Sequence, residues 1–236
     1  MPRIKPIAFA ADAARSLASG ASRSFAILWS ALHRGEETPA KAALRLKLDT
    51  RQWSPELLKQ LEWRRFEELC AAYYEALGFT TRVTGAGSPA GVDIVIRDKG
   101  GGSTQSVARC KAWDAYRVGV KAVRELRRAM NAAKIADGVL LTAGRFTQEA
   151  VTLAAQEHIR LIDGPALLKK IDALPPEKAL NLLRFATQGD FLTPTCPFCS
   201  IKMISRQSTK DGRKFWGCRN YPACKQTFAG TASVPA

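Results

Sequence analysis

The sequence predicts an α/β fold in two parts, a mixed sheet flanked by helices and then a small module organised by cysteines. Three observations lead there. Between residues 54 and 172, apolar patterns of helical period alternate with short β-branched runs, and the first three of those runs follow one another across turns alone. Such a sheet begins antiparallel and continues through helical crossovers. Four of the six cysteines fall at 196, 199, 218 and 224, as two close pairs. Charge is also divided: residues 1–65 carry 12 basic and 6 acidic groups, residues 66–190 carry 17 and 14, and residues 191–236 carry 7 and 1. The middle of the chain has the balance of an ordinary globular domain, and its flanks supply most of the net +15.

Each element has a local cause. Ser54 followed by Pro55 is an N-cap and first-turn pair, and it predicts a helix to about Leu77 that stops at Gly78. Phe66, Leu69, Cys70, Tyr73 and Leu77 form its apolar stripe. Strands are expected at about 80–84, 92–97 and 105–111, with GAGSPAG and DKGGGS as the turns. A helix over about 118–135, the buried strand DGVLLTA, a helix from Thr147 to about Glu157, the short strand IRLID and a helix from Pro165 follow. The expected organisation is a basic arm and linker over 1–53, the α/β domain over 54–175, a helical linker over 176–193 and the cysteine module over 194–230.

Composition excludes several classes. A net charge of +15 implies a polyanionic partner, nucleic acid before membrane. The longest apolar run near the N-terminus, FAILWSAL from Phe25 to Leu32, is far shorter than the roughly 20 residues of a spanning helix. With His33 and His158 as its two histidines, the chain does not carry the several histidines of zinc hydrolases. Cys70 and Cys110 stand apart from the paired cysteines, which is no secreted disulfide framework, so a cytoplasmic location is expected. Both are read as buried core residues, Cys70 on its helix stripe and Cys110 on the strand face opposite Arg109 and Lys111.

The residues able to do chemistry form a small set. Asp93 lies between Val92 and Ile94, and strand alternation sends it to the face opposite them. Lys111 ends the next long strand. At about 100° per residue from Phe66, Glu67 borders the packed helix face while Glu68 turns toward solvent. Two carboxylates, Asp93 and Glu67, can hold Mg²⁺ or Mn²⁺, and a lysine ammonium can sit beside attacking water, which is what phosphodiester hydrolysis requires. Downstream, Arg117, Lys121, Arg124 and Arg128 make a basic stripe opposite the apolar one of Val123, Leu126, Met130 and Ala133, a candidate phosphate contact.

The cysteines read C-x2-C-x18-C-x5-C. Two thiolate knuckles at this spacing match a structural Zn²⁺ site of Cys196, Cys199, Cys218 and Cys224, with no open position for catalysis. Around them Lys202, Arg206, Lys210, Arg213, Lys214, Arg219 and Lys225 can meet phosphates. Phe215, Trp216 and Tyr221 can either stack on bases or form the module's small core. The predicted DNA contacts of the module are Lys214, Trp216 and Arg219.

The run RFEELCAAYYEALGF, then GVDIVI, VARCKAW, VGVKAVREL, DGVLLTAGRFTQEA and IRLIDG, resembles the catalytic domain of Mrr-type restriction endonucleases, members of the PD-(D/E)xK nuclease superfamily, over about residues 60–172. The resemblance implies a restriction-endonuclease-like mixed sheet and a divalent-metal site that cuts DNA. It assigns Asp93 as main metal ligand, Lys111 as the lysine that orients or activates water, and Glu67 as the helical acid. CPFCSIKMISRQSTKDGRKFWGCRNYPAC resembles the C-terminal zinc ribbons of bacterial type IA topoisomerases over about 194–229, which implies a DNA-binding ribbon. The chain departs from the nuclease pattern at Pro89 and Ala90, which replace the acid and glycine often found just before the GVD block, and at Arg109. Arg109 stands where a Gln or Glu belongs, and a guanidinium cannot ligate a cation. Arg109 therefore either swings out to clamp a phosphate or marks a defective site in a DNA-binding protein of the same fold. The function expected is a DNA endonuclease of restriction type, whose cutting of both strands calls for a homodimer on DNA.

Overall fold

In the computed structural model the described residues are 49–84, 92–99, 104–111 and 117–229. Most of the basic arm, the GAGSPAG turn and the glycines of DKGGGS lie outside them. The described residues belong to one compact unit.

The helix expected from Ser54 to Leu77 is two helices, α1 (Pro55–Gln60) and α2 (Trp63–Ala76). Ser54 caps α1 by accepting from the Leu57 amide at 3.0 Å. Leu61 then leaves the helical region at φ −59°, ψ 127°, and Glu62 takes the N-cap of α2. The apolar pattern hides this break because Leu57, Leu58 and Leu61 before it and Phe66, Leu69 and Cys70 after it are all buried.

Strands β1 (Thr80–Val83), β2 (Ile94–Arg97) and β3 (Thr104–Lys111) pair antiparallel in sequence. After the short β4 (Arg117–Val118) comes α3 (Val120–Ala133), the crossover to β5 (Asp137–Thr142), which pairs parallel with β3. Strand β6 (Arg145–Phe146) pairs with β4, and α4 (Gln148–Gln156) crosses to β7 (Ile159–Ile162), parallel to β5. The order β1-β2-β3-β5-β7 is the mixed sheet that the patterns predict. Arg117 is a correction: it lies in β4, ahead of α3, so the basic stripe begins on a strand and continues on the helix.

One sheet face (Ile94, Ile96, Ala108, Cys110, Val139, Leu141) packs on α1, α2, α5 (Gly164–Asp172) and α6 (Pro176–Thr187). The other face, with Val107 and Leu140, is covered by α3 and α4. Helix α6 lies in the segment read as a linker, yet Leu182, Leu183 and Ala186 belong to the main core and Arg65 donates to the Phe185 carbonyl at 2.5 Å. Cys70 and Cys110 are buried, as alternation and the helix stripe require.

The C-terminal module is a three-stranded antiparallel sheet of β8 (Ile204–Gln207), β9 (Lys214–Gly217) and β10 (Thr227–Ala229). Its core is small: Cys196, Met203, Trp216 and Cys218.

Candidate functional site

Two elements bring the sequence-picked acids together. Asp93 is not inside a strand but at the bend before β2, with Val92 and Ile94 packed on opposite sides of the sheet. Simple alternation misplaces it because the extended run starts one residue later. Hydrogen bonds hold it in place: its amide donates to Ala108, its carbonyl accepts from the amide and the hydroxyl of Thr84, and its Oδ2 accepts from the Cys110 amide at 2.6 Å. Lys111, one residue beyond, ends β3 beside Thr142, whose hydroxyl donates to the Lys111 carbonyl at 2.9 Å.

Glu67 reaches this end of the sheet from α2. It is 7% exposed, and its Oε2 lies 3.7 Å from Arg64 Nη1 with no hydrogen bond among the described residues. Burial, and then the neighbouring charge of Asp93, push its carboxyl up to about 8. Asp93 is also raised, by burial, against the lowering effect of the Cys110 amide and of Arg109, Lys111 and Arg64. Two neighbouring acids that both resist ionising, one with a buried oxygen lacking a partner, fit a divalent cation that would replace their protons.

Arg109 is paired within the protein. Its Nη2 lies 3.0 Å from Glu125 Oε2 on α3, so an acid of the protein itself partners the guanidinium in the Gln/Glu position, while its charge still acts on Asp93. Lys121, Arg124 and Arg128 are exposed along α3, as is Arg117 on β4.

In the module, Cys196, Cys199, Cys218 and Cys224 bring their sulfurs within 4.8 Å of one another, with Cys196 and Cys224 at 3.8 Å. Thiolates about 2.3 Å from a tetrahedral zinc stand about 3.8 Å apart, so the four residues fit that ion. Trp216 is a correction to the DNA contacts. It is 4% exposed in the module's core and cannot offer a face to a base. Lys214 and Arg219 are exposed. Lys202 is tied down by Glu62 and the Thr193 carbonyl instead of facing a phosphate. Arg206 lies over the Tyr221 ring at 5.4 Å.

Residues 58–171 match the family model of a restriction endonuclease catalytic domain, the Mrr type. Over these residues the chain is similar to the Mrr-type restriction endonucleases. Residues 193–229 match the topoisomerase DNA binding C4 zinc finger, so the chain carries an Mrr domain followed by a zinc ribbon. DNA topoisomerase 1 of Pyrococcus horikoshii is 27% identical over 47% of this chain and 15% of its own length. The protein y4cE of Sinorhizobium fredii is 29% identical over 47% of this chain and 29% of its own. The chain thus spans less than a third of the curated relatives it matches. Among solved structures, the protein AF1548 overlaps 52% of this chain and 65% of its own at 17% identity and TM-score 0.38. The MspJI restriction endonuclease with a 27-mer oligonucleotide overlaps 70% of this chain and 40% of its own at 16% identity and TM-score 0.37. Among the described residues of the Mrr domain and ribbon, no helix is long and apolar enough to cross a membrane.

Three residues escaped the sequence reading. Glu62 is an N-cap of a type that caps rarely, so nothing local marked it. Glu125 was signalled by being an acid within a basic stripe. Phe198, 78% exposed between the first two zinc cysteines, was the large apolar residue of CPFC and could have been noticed as one with no core to join.

Proposed function

We propose that the chain is a divalent-metal-dependent DNA endonuclease acting in restriction of foreign DNA in the bacterial cytoplasm. The observation that carries this reading is the convergence of Glu67, Asp93 and Lys111 at one end of the sheet, with the Glu67 carboxyl pushed up to about 8 by burial and by Asp93. Asp93 and Glu67 would hold Mg²⁺ or Mn²⁺. That ion, when bound, supplies charge neutralisation at the scissile phosphate. The Cys110 amide fixes one Asp93 oxygen so that the other is free to ligate. Lys111 places its ammonium where water attacks and favours the deprotonated form of that water. Arg109, paired with Glu125, contributes positive charge near Asp93. The exposed row of Arg117, Lys121, Arg124 and Arg128 tracks the DNA backbone, and cutting both strands calls for two copies on the duplex.

The test is incubation of supercoiled plasmid with the protein and Mg²⁺ or Mn²⁺, beside Asp93→Ala and Lys111→Ala. Metal-dependent nicking lost in both variants is expected. Binding without nicking in the wild type would select the reading of a catalytically defective DNA-binding protein, with Arg109 as the cause.

For the ribbon, Phe198 and Tyr221 replace Trp216 as the stacking candidates, at 78% and 61% exposure. Phe198→Ala is expected to weaken single-stranded oligonucleotide binding by about 1–3 kcal/mol, read by fluorescence anisotropy. Trp216→Ala is expected to lower the thermal midpoint of the ribbon, because it empties the core. Equal DNA affinity of Phe198→Ala and wild type would remove Phe198 from the interface.

A further inference from the structure

We propose that Glu62 is a positioning residue for the nuclease site, and that the zinc-loaded ribbon is what holds it in place. The inference rests on the nuclease reading above and adds a physical link between two sites that share no ligand.

The Glu62 side chain is 2% exposed and is claimed from two sides. On the nuclease side it caps α2: Oε2 accepts from the Arg64 amide at 3.0 Å and Oε1 from the Arg65 amide at 3.2 Å. On the ribbon side, Oε2 accepts from the Thr195 amide at 3.2 Å, while Oε1 accepts from the Thr195 hydroxyl and the Lys202 ammonium, both at 3.0 Å. The main chain repeats the join. The Glu62 amide donates to Phe191 at 2.9 Å, and the Trp63 indole donates to the Thr195 carbonyl at 2.8 Å.

Each end of this junction abuts a site. Thr195 immediately precedes the zinc cysteine Cys196, and it bridges to Lys202 across the first knuckle, where the Cys196 amide donates to Ile201 at 2.8 Å. In α2, Arg64 has its amide capped by Glu62 and its guanidinium 3.7 Å from Glu67 and 3.4 Å from Glu68. Glu67 follows Glu62 by five residues, about one and a half turns. A buried carboxylate that loses its ammonium and two donors cannot stay where it is. Releasing zinc frees the first knuckle, withdraws Thr195 and Lys202 from Glu62, and leaves the first turn of α2 without its cap. Glu67 then loses its fixed distance from Asp93, which is held independently by β3. The ribbon is therefore part of the nuclease site's scaffold as well as a grip on DNA.

The experiment uses the full chain with Mn²⁺ as probe, following Mn²⁺ affinity by electron paramagnetic resonance and amide exchange over residues 63–67. Wild type is compared, before and after removal of zinc by a thiol-reactive mercurial, with Glu62→Gln and with Lys202→Met, whose zinc content is checked at one per chain. Zinc removal is expected to weaken Mn²⁺ binding by wild type on the order of tenfold and to speed exchange at 63–67. Glu62→Gln, with zinc still bound, is expected to show both effects already and to respond little to zinc removal. Unchanged Mn²⁺ affinity and exchange in zinc-free wild type, or wild-type values in zinc-loaded Glu62→Gln, would overturn the coupling. If exchange at 63–67 responds to zinc while no form binds Mn²⁺, the junction stands as a mechanical link but its role in a nuclease site, and the nuclease reading with it, fails.

Discussion

Glu67→Gln is expected to abolish metal-dependent nicking and, in the same protein, to raise the stability of the metal-free fold at alkaline pH. The loss of activity should be roughly a thousandfold or more, since a ligand of the ion that offsets developing charge is worth several kcal/mol. The gain has a separate origin. The Glu67 carboxyl titrates at about 8 in the fold against 4.5 ordinarily, so between those two values the folded protein keeps a proton that the unfolded chain has released. Stability must then fall as pH rises from about 4.5 to about 8, by up to a few kcal/mol, and stays reduced above that. The amide of the Glu67→Gln variant does not titrate in this range, so the substitution removes the slope. Urea unfolding at pH 5 and pH 9 in metal-free buffer checks it, and parallel pH dependence in the two proteins would show that Glu67 is an ordinary solvated acid. By the same linkage, Mn²⁺ affinity of the wild type should rise with pH up to about 8, because the ion displaces that proton.

Replacing Cys196 and Cys199 together by Ser is expected to release zinc and unfold the ribbon. Its core of Cys196, Met203, Trp216 and Cys218 is too small to hold three short strands, and two of those four residues are themselves thiol ligands. Zinc supplies on the order of 10 kcal/mol of folding free energy in modules of this kind. Metal analysis should find one zinc per wild-type chain and none in the variant, and dispersed ribbon resonances should collapse. DNA affinity should fall and its salt dependence flatten, since the exposed Lys214 and Arg219 lose their common frame. A ribbon that stays folded without metal would contradict the assignment.

Both expectations concern residues that the sequence makes visible, and the reason is that their signals are local. Thiol spacing, a lysine closing a strand and a glutamate at the edge of a helix stripe need no tertiary information. Asp93 is a half case: its identity is legible, but its position at a bend depends on where β2 begins, and alternation is blind to that. Arg109 was legible as a departure, yet whether its charge disturbs the site depended on Glu125, sixteen residues on in another element and 3.0 Å away in space.

The sequence alone therefore determined the mixed sheet, the pair of candidate acids with their lysine, and the four-cysteine ribbon, because periodicity and spacing are written in neighbouring residues. Tertiary structure decided which groups act on one another: Glu67 with Asp93, Arg109 with Glu125, and Glu62 with Thr195 and Lys202. It also moved Trp216 from the DNA face into the core. Those outcomes depend on burial and on contacts between residues up to 140 positions apart, such as Glu62 with Lys202. No periodic pattern encodes such a distance, and burial, more than identity, sets what a carboxylate or an indole does there.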